Sequence, residues 1–241
     1  MCTVTVFPGP QGYILTHNRD EAPTRSPLDI SRVMHNHVGE LIYPKDTLKS
    51  GTWIAAAPGG LTVCLLNGAF EKHTRQPEYR RSRGLVLLDY FETNSAADFF
   101  ENYDFTDIEP FTLLVLRPEG HLEFRWDGQQ KHLVSLPANA PHFWCSATLY
   151  PADMREKRQA VFEKWIQQPA FQQANTQEAL AAELLRCHQN GSVDDPENNF
   201  VMNRSNRVRT VSITQVTTNP DAVVMHYLDL QNIKIPAVAT I

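Results

Sequence analysis

The chain has 241 residues, 42% of them hydrophobic, and a formal net charge of −5. That length and apolar content allow one sizeable core, so a single domain spanning residues 1–241 is expected. The acidic balance argues against a nucleic-acid footprint or a basic membrane-surface patch, since both need excess Lys and Arg to meet phosphates.

In chain order, residues 3–7 and 13–18 alternate like strands, and "PGPQG" between them supplies the Pro and Gly of a reversal. A first hairpin follows from this, with Cys2 at the start of one strand and "HNRDE" at the end of its neighbour. Residues 22–50 show little periodicity and read as a long loop with one short strand at 41–43. "GTWIAAA", the turn "PGG" and "LTVCLLNG" predict a second hairpin. "EKHTRQPEYRRSR", residues 71–83, is a basic loop; its plain reading is solvated surface, and its functional one is a grip on an anionic substrate.

Helices are expected over 85–91 and 96–103, the second started by Asn94 or Ser95. "FTLLVLRPEGHLEFRWDG" and "KHLVSLP" form a meander of three strands, and "HFWCSATL" adds one more strand. Pro151 suits a first helical turn, with Met154, Val161, Phe162 and Trp165 supplying apolar faces for a helix to about Gln168. Asn175 and Glu178 resemble a capping box for a helix ending near Cys187. "NGSVDDPENN" is a loop, Asn203 reads as a loop residue, and "RVRTVSITQVTT" with "AVVMHYLDL" closes the chain as a hairpin. Blocks of antiparallel strands with helices between them predict an α+β fold.

Cys2, Cys64, Cys145 and Cys187 are widely spaced and form no C-x-x-C pair, so neither disulfides nor zinc are expected. Cys64 sits in an apolar run and reads as packed, and the four tryptophans read as core or pocket walls. His35 and His37 lack a third ligand at usable spacing, so no metal and no cofactor is expected. No charged segment with a long apolar run opens the chain and nowhere do 18 or more apolar residues follow one another, so neither secretion nor a membrane span is expected and the cytoplasm is the default compartment.

A cysteine behind the initiator methionine has one special use. A thiol needs a base of matched pKa, and removal of Met1 would give Cys2 an α-amine that serves as that base and later protonates a leaving amine. Asn18, Arg19, Asp20 and Glu21 lie at the end of the adjacent strand, where a carboxylate can orient an α-ammonium. The plain alternative is that these residues pair with one another on the surface.

"MCTVTV", "ILTHNRDE", "GTWIA", "CLLNG" and "RVRTV" together resemble the NRDE family, also called the transport and Golgi organisation protein family. That family is similar to cysteine-type N-terminal nucleophile hydrolases such as bile salt hydrolases and penicillin V acylases. The resemblance implies a four-layer αββα sandwich of two antiparallel sheets. It also implies that Cys2 attacks the carbonyl of a linear amide to form a thioester, that Asp20 orients its amine, and that Asn67 donates to the oxyanion. Arg207 corresponds to a late arginine near the nucleophile, with Arg209 as rival. The acylases usually carry an arginine at the place of His17, and an asparagine where Ser146 and Thr148 stand here. His17, Asn18, Arg19, Ser146 and Arg209 are therefore candidate substrate-binding residues. The implied partner is a small-molecule amide; a homo-oligomer fits the same picture. The alternative function is a non-catalytic haem- or lipid-handling protein on the same scaffold, with Cys2 and His17 as exposed ligands.

Overall fold

The computed structural model describes residues 2–25, 30–93, 95–231 and 236–241. The first hairpin is β1 (Cys2–Gly9) with β2 (Gly12–Glu21), in a register that sets Cys2 opposite Arg19 and Thr3 opposite Asn18. Strands β3 (Ile30–His35), β4 (Gly39–Pro44), β5 (Ile54–Ala57) and β6 (Leu61–Asn67) lead to helices α1 (Arg83–Tyr90) and α2 (Ala96–Asn102). The meander is β7 (Phe111–Arg117), β8 (Gly120–Trp126) and β9 (Lys131–Leu136), followed by β10 (His142–Cys145). Helices α3 (Ala152–Ile166), α4 (Pro169–Gln172) and α5 (Gln177–Asn190) come next. The last strands are β11 (Asn203–Arg204), β12 (Val208–Thr218), β13 (Val223–Asp229) and β14 (Ala237–Thr240).

These strands make two antiparallel sheets, one ordered β10-β1-β2-β12-β13-β14 with β11 on β12, the other running β3 to β9 in chain order. Val4, Leu15, Ile54, Cys64, Leu114 and Met225 belong to the apolar layer between them. On the outer side of the second sheet, Leu87 of α1 and Phe99 and Phe100 of α2 pack on Leu113 and Phe124. On the outer side of the first, Phe162, Phe171 and Leu184 of α3, α4 and α5 pack on Ile14. Each sheet has a helical cover on one side and the other sheet on the other, so the fold is the expected αββα sandwich.

Several local expectations change. Residues 22–50 hold two strands, not a loop with one. In β3, Val33 and Met34 are 42% and 76% exposed, so this strand carries no buried stripe and is placed by its ladder with β4. Pro151 is the N-cap of α3 and lies just outside its first turn. Thr176, not Asn175, caps α5, its hydroxyl accepting the Ala179 N–H at 3.2 Å. That helix continues past Cys187 because His188 is still buried against the sheet. Ser95 caps α2, accepting the Asp98 N–H at 3.0 Å, and Asn94 lies outside the described residues. Asn203 belongs to the two-residue strand β11, which is too short to leave a periodic signal.

Candidate active site

Cys2 heads β1 on the side that faces the other sheet. Only 3% of it is exposed, yet it lines a cavity of about 520 Å³ together with Arg19, Trp53 and Asn67. Burial pushes its thiol pKa up, and the nearby Asp20 carboxylate pushes the same way while Arg19 opposes. The resting sulfur is therefore protonated, and attack requires a base to take its proton.

Arg19 sits opposite Cys2 across the ladder, and its guanidinium lies 4.1 Å over the Trp53 ring. It donates to Asp46 Oδ2 at 2.9 Å and to the Arg25 carbonyl. Burial lowers the Arg19 pKa, but Glu21 and Asp46 counter that and keep a cation beside the thiol. Trp53 is held by a close backbone approach: a Cβ on Gly51 would lie 2.6 Å from the Gly84 carbonyl carbon. Glycine at both positions lets the Thr52 N–H reach the Gly84 oxygen at 3.2 Å, which sets the start of α1 against the cavity.

Asn67 ends β6 and lines the cavity. Ser146 ties it to the nucleophile strand: its N–H donates to the Cys2 carbonyl at 2.9 Å, and its hydroxyl donates to the Asn67 carbonyl at 2.7 Å. Gly68, at φ +83°, makes this crossing possible, since a Cβ there would meet Thr148 Cγ2 at 2.9 Å. Ser146 thus bonds main chain and does not line the cavity.

Asp20 points to the other side of β2 and is fully buried. Its carboxylate accepts from Tyr150 Oη at 2.9 Å and Thr210 Oγ1 at 2.7 Å. A register shift between Thr210 and Ser212 in the ladder with β2 falls at this residue and re-aims the β12 side chains. Burial raises the Asp20 pKa, while Arg158, Thr210 and Tyr150 pull it back toward the ionised form. Arg158 of α3 is itself fully buried: Nε donates to Cys145 Sγ at 3.2 Å, Nη1 to the Asn198 and Asn199 carbonyls, and Nη2 to Thr3 Oγ1. Nothing in the sequence singles it out, because α3 is rich in charge and an arginine there reads as solvated.

The remaining expected site residues do not converge on the cavity. Asn18 faces away from it, because alternation along β2 separates it from Arg19; its Nδ2 donates to the His188 and Phe200 carbonyls, and its Oδ1 meets His188 Nδ1 at 2.7 Å. His17 is fully buried and stacked on Trp53 at 6.5 Å, and burial holds its pKa well below the usual value. It does not line the cavity. Arg207 is exposed in the turn between β11 and β12, where Ser205 and Asn206 have φ of +50° and +58°. Arg209 is engaged by Asn206 at 3.3 Å and Gln231 at 2.9 Å, and it too is absent from the cavity wall. The cavity instead draws its guanidinium groups from Arg19, from Arg25 and from the basic loop that ends at Arg83.

Among the described residues, no three His, Cys, Asp or Glu side chains gather as a metal site, and no helix is long and apolar enough to cross a membrane. His35 is bonded to Glu92 at 2.9 Å.

The architecture is that of N-terminal nucleophile hydrolases. The chain superposes on an N-acylethanolamine-hydrolyzing acid amidase ortholog from Caenorhabditis elegans with TM-score 0.56 and 13% identity, covering 89% of this chain and 92% of that one. It superposes on a mutant conjugated bile acid hydrolase from Clostridium perfringens with TM-score 0.54 and 11% identity, covering 100% and 92%. For penicillin V acylase from Agrobacterium tumefaciens the TM-score is 0.54 and the identity 8%, covering 100% and 90%. No curated protein matches the chain by sequence. Cys2, the Asn-Arg-Asp-Glu run and Asn67 all lie within residues 1–227, which match the family described as Transport and Golgi organisation 2, and the chain belongs to that family.

Proposed function

We propose that this chain is a cysteine N-terminal nucleophile hydrolase that cleaves a linear, non-peptide amide of a small molecule. The observation that supports it most is the placement of Cys2 at the head of a buried central strand, on the wall of a cavity shared with Asn67 and Arg19. Removal of Met1 frees the Cys2 amine, and Asp20, braced by Tyr150 and Thr210, lies at the matching end of the neighbouring strand to orient it.

In the first half-reaction the amine takes the thiol proton as Sγ bonds to the carbonyl carbon. The Asn67 side-chain amide donates to the developing oxyanion. The C–N bond then breaks, the proton passes to the departing nitrogen, and a thioester remains on Cys2. Water, deprotonated by the same amine, attacks the thioester, releases the acid and restores the thiol.

Incubation with octanoyl p-nitroanilide, read by p-nitroaniline release and by intact mass, tests this reading. Loss of Met1, an octanoyl adduct on Cys2 and its absence in Cys2→Ala are the expected results. Asp20→Asn is expected to lower adduct formation in a folded protein. Retention of Met1 in the purified chain, or an adduct that survives Cys2→Ala, overturns the reading. A haem- or lipid-handling role with Cys2 and His17 as ligands has less support, because His17 does not line the cavity that Cys2 lines.

A further inference from the structure

The cavity beside Cys2 is strongly cationic in a chain whose overall charge is −5. Seven basic side chains line it against four acidic ones. Most of these cations are neutralised in place. Asp46 bonds Arg19 at 2.9 Å and Arg25 at 2.5 Å, and Glu109 meets Arg83 at 3.1 Å. Arg80 and Arg81 turn to Asp104 and Asp89, which stand outside the cavity. Arg75 and Lys49 have no ion-pair partner among the described residues, although both line the cavity. A cleft with surplus charge of one sign focuses its field on a ligand of the other sign.

The basic loop brings Arg75, Arg80, Arg81 and Arg83 to the cavity and leads directly into α1. Arg75 and Arg83 line the same cavity. Burial lowers the Arg83 pKa and the Arg75 charge pushes the same way against Glu109, a repulsion that a bound anion would relieve. Cys2 and Arg83 line the same cavity, so this corner shares its space with the nucleophile. Ser82 stands at the N-cap of α1 without making the usual side-chain cap bond. Its hydroxyl is buried with no partner among the described residues, and the residue lines the cavity. A serine hydroxyl withheld from its own helix, at the positive end of that helix, remains free to donate to a ligand oxygen.

We propose that this corner is an oxyanion-recognition subsite: the substrate presented to Cys2 carries a carboxylate or phosphate that seats between Arg75, Arg83 and Ser82. The inference names the substrate class for the hydrolase reading and rests on it only for the chemistry at Cys2. Arg75 and Arg83 are specificity residues here, and Arg19 remains with the nucleophile.

Binding to Cys2→Ala, which cannot turn over, separates the two ideas. Three probes are titrated calorimetrically: N-octanoylglycine, the phosphate ester of N-octanoylethanolamine, and neutral N-octanoylethanolamine itself. At least one anion is expected to bind about tenfold or more tightly than the neutral probe, as a new charge-assisted contact would give. Which anion is preferred tells carboxylate from phosphate. Adding Arg75→Gln, an exposed position whose loss leaves no partner stranded, is expected to bring all three within about twofold. Arg83→Gln would strand Glu109 and serves only as a second variant, accepted if its melting is unchanged. Equal binding of the three probes, no binding of any, or a preference that survives Arg75→Gln overturns the subsite. Failure of octanoyl p-nitroanilide to acylate the wild-type chain bears on the hydrolase reading alone.

Discussion

Behind the second sheet, α1 and α2 press Phe99, Phe100 and Leu87 onto Phe111 and Phe124, and the Phe100 and Phe124 rings stack with centroids 4.5 Å apart. Behind the first sheet, α3 and α5 press Arg158 and His188 onto Thr3, Thr5 and Asn18. The first of these layers needs only volume, since any apolar group of the right shape satisfies it. The second needs partners, because each buried polar atom loses water and must be bonded again. The polar layer lies directly under β1 and β2, the strands that carry Cys2 and Asp20. Its hydrogen bonds fix the register and height of those strands where hydrophobic contact alone would tolerate sliding.

The contrast is broken most directly at Arg158. Arg158→Met fills a similar volume but leaves Thr3 Oγ1, the Asn198 and Asn199 carbonyls and Cys145 Sγ without their donor. It also removes the cation that favours ionised Asp20. Breaking one side of such a buried charged network costs about 3–5 kcal/mol. Urea unfolding measures it, and a loss below about 1 kcal/mol would mean the polar layer behaves like the aromatic one.

His188 gives the next largest effect, as a pH dependence. Burial lowers its pKa from 6.5 to about 3, with the Arg158 charge adding to the shift. The unfolded chain takes up a proton near the ordinary value, and the folded chain does not until far lower. Stability present above that value is therefore lost as pH falls from 6.5 toward about 3. His188→Gln is expected to flatten this part of the profile by on the order of a few kcal/mol at its acid end, leaving the shares due to His17, His121 and His226. An unchanged slope between wild type and variant would remove His188 from the account.

The same two layers explain what could be read in advance. "TVTV" alternates, and alternation predicts one apolar and one solvated side; both sides are buried here, with Thr3 and Thr5 fully covered. The strand was legible, but its polar side's destination was not, because Arg158 and His188 lie more than 150 residues away in sequence. Cys2 stood out by its place behind Met1, while Asp20 and Asn67 were singled out only through the family resemblance; the fold brings Cys2 and Asn67 to one cavity and sets Asp20 against Tyr150 and Thr210. Arg207 was not distinguishable from Arg83 by sequence: both are arginines in polar segments, and only the Gly51 and Gly84 contact carries the latter to the cavity. Strand β3 was missed for the opposite reason, since its residues face solvent and its ladder alone defines it.

The smallest effect sharpens the comparison most, because it sets two conservative substitutions side by side. Thr5→Val keeps shape and strand propensity but removes the hydroxyl 2.8 Å from His188 Nε2. That ring nitrogen is then buried with no partner, at a cost of about 1–2 kcal/mol. Leu87→Met, fully buried in α1 behind the other sheet, also keeps volume and helix propensity, and removes no hydrogen bond. Its expected cost is about 1 kcal/mol or less. The two variants therefore differ in what they disturb: a methyl in place of a hydroxyl strands a ring nitrogen in the layer under the nucleophile, while a larger rearrangement of carbon and sulfur strands no polar atom in the aromatic layer. Chemical denaturation of both, with His188 Hε1 and Hδ2 shifts followed by NMR, checks it. Thr5→Val is expected to move those shifts and Leu87→Met to leave them in place; equal destabilisation with unmoved shifts would show that β1 is held by packing alone.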